Sequence, residues 1–164
     1  MAKKEDKQEE EIVFQSTRFG ELKVKASSII NLPYGLVGFP NHKKFVMLEY
    51  KGVFWWLHSV EDPNLAFVVM DGGSVEGYNV EPPYGEKECD FQEGDEFAIL
   101  LIVTVRPNPA DTTVNLKAPI LVNLRNKKGM QVIYDDPRFS TRHPLIPQKD
   151  EQGGNKEEEE KGGE

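Results

Sequence analysis

The side chains of this 164-residue chain that could do chemistry by type are three histidines, one cysteine and some adjacent carboxylates. His42, His58 and His143 are far apart and have no local partner at metal-ligand spacing. His58-Ser59 has the residue types of a base–nucleophile pair, but neighbours in a strand point to opposite faces and cannot bond as a dyad. Glu61-Asp62 and Asp135-Asp136 each precede a proline, the mark of a turn rather than of a general acid/base pocket. Cys89 sits among the carboxylates of Glu-Lys-Glu-Cys-Asp-Phe, which disfavour a thiolate. As the single cysteine it also excludes an intrachain disulfide and a cysteine-cluster metal site. Phosphate-binding glycine loops, a Gly-x-Ser-x-Gly elbow and His-Glu-x-x-His are all missing from the sequence. No cofactor, no metal and no catalytic residue is expected. The chain reads as a binder rather than an enzyme.

Binding chemistry is more visible in the charge. The net charge of −8 argues against a generic nucleic-acid binder, which needs a basic face to neutralise phosphates. That charge is unevenly spread: residues 61–96 hold eleven acids and one base, a net of −10. Residues 12–60 and 97–149 carry +4 and +5. The acidity peaks at Glu86, Glu88, Asp90, Glu93, Asp95 and Glu96. A loop or short helix there would either be a solvated excursion or a docking surface for a cationic protein. The segments 1–11 and 150–164 are charged and lack an apolar period, so both read as disordered tails around one domain over 12–149. No apolar leader opens the chain, and the longest apolar run, Phe97–Val103, is far short of the ~20 residues of a membrane helix. A soluble, cytoplasmic protein without membrane contact is expected.

The elements that would position these residues are strands. Val, Ile and aromatic residues outnumber Ala, Leu and Met, and prolines and glycines cut the chain into short pieces. No window keeps a helical apolar stripe. Strands are predicted at 12–19, 21–26, 34–40, 45–50, 53–59, 65–70, 97–105, 119–124 and 130–134, the last two a hairpin about Asn126–Gly129. About nine short strands with little helix predict an all-β fold, a small closed or partly open barrel. Phe97–Val105 and Val53–Leu57 are apolar on both faces and should be covered on both sides. Trp55 and Trp56 must point to opposite faces, so one of them is a candidate contact residue.

Several stretches resemble the bacterial flagellar assembly factor FliW family. They are Tyr34-Gly35-Leu36-Val37-Gly38-Phe39, then Leu57-His58-Ser59-Val60-Glu61-Asp62-Pro63-Asn64-Leu65-Ala66-Phe67, and Thr112-Thr113-Val114-Asn115-Leu116-Lys117-Ala118-Pro119-Ile120. Gly129-Met130-Gln131-Val132 and Arg142-His143-Pro144-Leu145 follow in order. Residues 74–85 depart from the family's pattern. The resemblance implies a barrel-like fold, no enzyme activity and two protein partners: flagellin, through a terminal helical segment, and the RNA-binding carbon storage regulator CsrA. Holding CsrA would relieve repression of flagellin translation, and unsecreted flagellin would displace it, coupling synthesis to export without direct contact to nucleic acid.

The basic CsrA is expected at the six carboxylates of 86–96. An apolar groove for flagellin is expected among Phe39, one of Trp55 or Trp56, and the loop His58, Ser59, Glu61, Asp62 and Asn64. Structural roles are expected for Gly35, Gly38, Phe67, Thr113, Asn115, Leu116, Ala118, Pro119, Gly129 and His143. Gly35, Gly38 and Gly129 would serve turns or close strand approach, and Thr113 and Asn115 would brace a crossing by side-chain bonds to backbone. The alternatives are a β-barrel interaction or ligand-binding domain of unrelated role, a single-strand nucleic-acid binder, and an enzyme with a pocket formed only in three dimensions.

Overall fold

Alternating and continuous apolar runs become strands, and in the computed structural model, which describes residues 10–145, they close into a barrel. The strands are β1 Glu11–Ser16, β2 Gly20–Lys25, β3 Ile30–Asn31, β4 Lys44–Glu49, β5 Phe54–Ser59 and β6 Ala66–Asp71. They continue with β7 Phe97–Thr104, β8 Thr113–Val114, β9 Ile120–Asn123, β10 Lys128–Gln131 and β11 His143–Pro144. The order β7-β6-β5-β4-β3-β10-β9 returns to β7 through a β7–β9 pairing, a closed seven-strand barrel. β8 and β11 extend beyond β7, and β1–β2 form a separate ribbon. The helical content among the described residues is three short 3-10 turns.

The all-β barrel is as the composition predicts, with four differences of detail. Tyr34–Pro40 is no strand: Leu36 and Phe39 exchange backbone bonds across Val37-Gly38, a tight turn that allows positive φ at Gly35 and Gly38. β3, β8 and β11 have two residues each, too short to leave a periodic signal. The β9–β10 turn falls at 124–127, two residues earlier than the glycine suggests, with Lys127 at φ 60°. Glu11, placed in the first tail by the sequence, pairs with Lys25 in β1, and residues 1–9 of that tail lie outside the described residues. The other tail, 150–164, lies outside the described residues.

Inside the barrel, Phe45, Leu57, Val69, Leu100, Ile120 and Val122 form the inner core. Because residues alternate across a strand, Met70, Leu101 and Val103 face outward, where Val114, Leu116, Phe139 and Leu145 cover them. Leu121 likewise lies under Val80, Cys89 and Phe91. Thus β7 is covered on both faces, as its unbroken apolar run requires.

Candidate functional site

The acidic segment is a loop without helix, pinned to the barrel from below. Buried Asn123, at the end of β9, donates from Nδ2 to the carbonyls of Cys89 (3.1 Å) and Asp90 (3.4 Å) and to Asp95 Oδ2 (3.2 Å). Its Oδ1 accepts from the Arg125 N–H at 3.1 Å. Arg125 then forks onto Asp95, Nε to Oδ1 at 3.0 Å and a terminal nitrogen to Oδ2 at 3.1 Å. That guanidinium holds the Asp95 carboxyl below its usual range, helped by the Gln92 N–H. Glu86 organises the loop's start, with carboxylate oxygens accepting the N–H groups of Glu88 (3.1 Å) and Cys89 (2.8 Å) and the Tyr34 hydroxyl. Desolvation pulls the Glu86 carboxyl up, but those bonds outweigh it and keep it below its ordinary value. The same bond pushes the Tyr34 hydroxyl up to about 12.

The six carboxylates therefore divide. Glu86 and Asp95 are spent on the loop's own architecture, and Asp90, at φ 54°, meets Arg125 at 3.4 Å. Glu88, Glu93 and Glu96 are exposed and unpaired among the described residues. Beside them the Leu124 N–H donates to the Glu96 carbonyl at 3.0 Å, and exposed Leu124 borders the open end of the barrel. That mouth is a cavity of about 260 Å³ lined by Ile30, Met47, Ala98, Leu100, Val122 and Leu124, with Ser28 and Lys127. An apolar centre beside a charged rim is the anatomy of a protein interface.

The loop after β5 has the opposite character, with its polar groups turned inward. Ser59 is fully buried and its hydroxyl oxygen accepts the N–H groups of Glu61 and Asp62, both at 3.0 Å. His58, 1% exposed, meets the Ser59 carbonyl through Nδ1 (2.7 Å) and the Ser16 hydroxyl through Nε2 (2.9 Å). The Ser16 oxygen already accepts from the Arg18 and Phe19 N–H groups, so its proton goes to His58 Nε2. Nδ1 then carries the imidazole proton, donated to the Ser59 carbonyl. No His58–Ser59 side-chain bond exists, and neither residue lies on a contact surface.

Glu61 caps the start of β4, accepting the N–H groups of Lys43 (2.8 Å) and Lys44 (3.2 Å). Asp62 accepts the Asn64 N–H and approaches His42 Nε2 at 3.4 Å. Phe39 packs edge-on against Phe67 and His42. Phe39 and this loop thus come together as a braced corner of the barrel, with Asn64 exposed upon it.

The tryptophans separate as their adjacency requires. Trp56 lies on the outer face with Tyr50 at 4.8 Å, Phe19 at 5.9 Å and the Arg18 guanidinium 4.5 Å from its ring centre. Trp55, 36% exposed, shares the inward side of β5 with Leu57. Neither ring stacks on Phe39, whose ring partners among the described residues are Phe67 and His42.

The motif residues build the frame. Asn115 Oδ1 accepts the N–H groups of Lys117 (2.9 Å) and Ala118 (3.0 Å), and the Pro119 carbonyl accepts from Val132 at 2.9 Å. Leu116 is buried in the outer core. Thr113 contributes backbone pairing to Thr104 and Pro144, while the side-chain brace belongs to Thr112, whose oxygen accepts the Arg106 N–H. His143 pairs with Val114. A Cβ on Gly129 would lie 2.6 Å from the Leu121 carbonyl oxygen, so that glycine serves close strand approach. Sequence reasoning missed Asn123 and Arg125, whose tether closes across some thirty residues, and two cation–aromatic contacts, Arg18 on distant Trp56 and Lys51 on its neighbour Tyr50.

Among the described residues no cluster of His, Cys, Asp or Glu could hold a metal, and no helix is long and apolar enough to cross a membrane. Residues 13–145 match the family model described as FliW protein. A flagellar assembly factor FliW from Geobacter sulfurreducens is 39% identical over 138 residues, covering 81% of this chain and 86% of the relative. Another from Geotalea uraniireducens is 38% identical, covering 80% and 82%. A crystal structure of the flagellar assembly factor FliW superposes with a TM-score of 0.76 at 29% identity, covering 84% of this chain and 99% of the other. The chain belongs to the FliW family.

Proposed function

We propose that this chain is a flagellar assembly factor that acts by holding proteins rather than by catalysis, with flagellin and CsrA as its two partners. In this reading it holds the basic, RNA-binding CsrA away from flagellin messenger RNA until unsecreted flagellin displaces it. One observation carries the CsrA half. The loop 86–96 is fixed to the barrel by Asn123 and Arg125, with Glu88, Glu93 and Glu96 facing solvent and the Glu96 carbonyl bonded to Leu124 at an apolar mouth. A rigid acidic rim steers a cationic partner and loses little side-chain and loop freedom on binding, because the loop is already ordered. Competitive displacement requires that each partner disfavour the other by ~1–3 kcal/mol or more, through overlap or coupling.

The test is a pull-down with cognate flagellin and CsrA, separately and together. Binding of each alone, with flagellin releasing CsrA, is the expected result. Binding of neither would refute the proposal.

A further inference from the structure

A second cleft lies at the other end of β7 from the acidic loop. The loop meets β7 at Phe97 and the cleft begins at Val105, about 25 Å further along at strand rise. Its volume is about 370 Å³, and its apolar lining comes from Tyr50, Phe54, Val105, Pro109 and Leu145. Val105 is 54% exposed, and Tyr50 stacks on Trp56, so the cleft continues into the outer aromatic cluster. A contiguous apolar strip of this kind differs from the scattered exposed residues of an ordinary surface.

The polar groups have one sign. Lys51 and Arg106 line the cleft, both exposed, and no carboxylate lines it. Neither cation forms an ion pair among the described residues, and Lys51 Nζ rests 5.2 Å from the Tyr50 ring centre. Buried Thr112 also lines it. Its oxygen accepts the Arg106 N–H at 3.2 Å, and its hydroxyl proton has no acceptor among the described residues. The cleft thus offers an apolar floor, two cations and one unused donor.

We propose that this cleft docks an amphipathic segment of the partner flagellin, apolar side chains on the floor and carboxylates against Lys51 and Arg106. This rests on the reading that flagellin is a partner, and it moves that site away from the corner at Phe39 and Ser59–Asn64. Charge complementarity sets the chemistry of that segment: two unpaired cations and no carboxylate call for a stretch of flagellin with acids beside its apolar side chains, while the basic partner meets the loop at the other end of β7. Single-stranded RNA would also use aromatic and basic residues. Here, however, the Trp56 ring already stacks on Tyr50 and holds Arg18.

The experiment measures binding of cognate flagellin, CsrA and a ten-residue oligouridylate to the full chain and two variants, Lys51→Glu/Arg106→Glu and Val105→Glu. All three positions are exposed, and an unchanged melting temperature certifies each fold. Both variants should weaken flagellin binding ~10-fold or more, the range of a lost interface anchor, and leave CsrA binding within about twofold. Flagellin should also change the tryptophan emission, because Trp56 stacks on Tyr50 and Trp55 lines the adjoining recess with Tyr50 and Lys51. Flagellin binding that both variants leave intact overturns the inference while sparing the proposed function. Loss of CsrA or oligouridylate binding in place of flagellin overturns it as well. A native chain that binds no flagellin refutes the flagellin half of the proposed function, and this assignment falls with it.

Discussion

Asn123 is the buried one among the residues that tie the acidic loop to the barrel. Its amide is fully buried and all of its bonds run to the loop or to Arg125. Asn123→Ala removes a buried donor from the Cys89 and Asp90 carbonyls, which keep Asn126 (2.9 Å) and Arg125 (2.6 Å), so about 0.5–1.5 kcal/mol of stability should be lost in denaturant unfolding. Hydrogen exchange should quicken over 86–96 first, because the lost bonds all fall between Cys89 and Asp95. Cys89, within the same loop, is fully buried. Desolvation first, then the Glu86 charge, pushes its thiol from 9.0 up to about 12. The folded chain therefore keeps a proton that the unfolded chain loses between those values. Stability from this group is complete below pH 9 and disappears as the pH rises towards 12. Tyr134, raised to about 12 chiefly by burial, acts in the same direction. Denaturation midpoints measured from pH 8 to 11.5 should fall, and Cys89→Ala should flatten that fall. At pH 8 a thiol reagent should label Cys89 only after unfolding.

At the scale of elements, two glycines of the family's motifs should respond differently to the same change. A Cβ at Gly129 in β10 would press on the Leu121 carbonyl and Val122, whereas at Gly38 it would meet nothing within 4 Å. Gly129→Ala should cost about 2 kcal/mol or more, as overpacking against backbone does, and Gly38→Ala only the ~1–2 kcal/mol of a left-handed residue. Thermal melts of the two variants check the order. The longer strands were legible in the sequence because their runs are periodic or continuous: β4 to β7 fall within a residue or two of the predicted spans. β3, β8 and β11 were not, since a two-residue strand is set by its partner's hydrogen bonds rather than by its own pattern. Tyr34–Phe39 misled because its apolar residues sit in a turn that only Gly35 and Gly38 permit. The loop's charge was legible, but which carboxylates stay exposed depends on Asn123, Arg125 and Tyr34, far away in sequence. The cleft was illegible for the same reason, since the β4–β5 turn and the β7–β8 connection supply its two sides.

For the whole molecule, two sites of different charge stand out from the barrel. A rigid barrel separates an acidic loop with an apolar mouth from a cation-rimmed apolar cleft. A frame of this kind suits a protein that discriminates between partners of opposite charge, since each face repels the other's ligand. The central claim is that Glu88, Glu93 and Glu96 present the CsrA-binding face. The most direct test is the association rate of CsrA, measured across a salt series with the native chain and with Glu88→Lys/Glu93→Lys/Glu96→Lys. All three side chains are exposed and outside the loop's internal bonds, so the variant keeps the fold. The account expects the native rate to fall with salt, and the variant rate to be ~10-fold lower at low salt and nearly flat. Equal rates and equal salt slopes for the two proteins would contradict it.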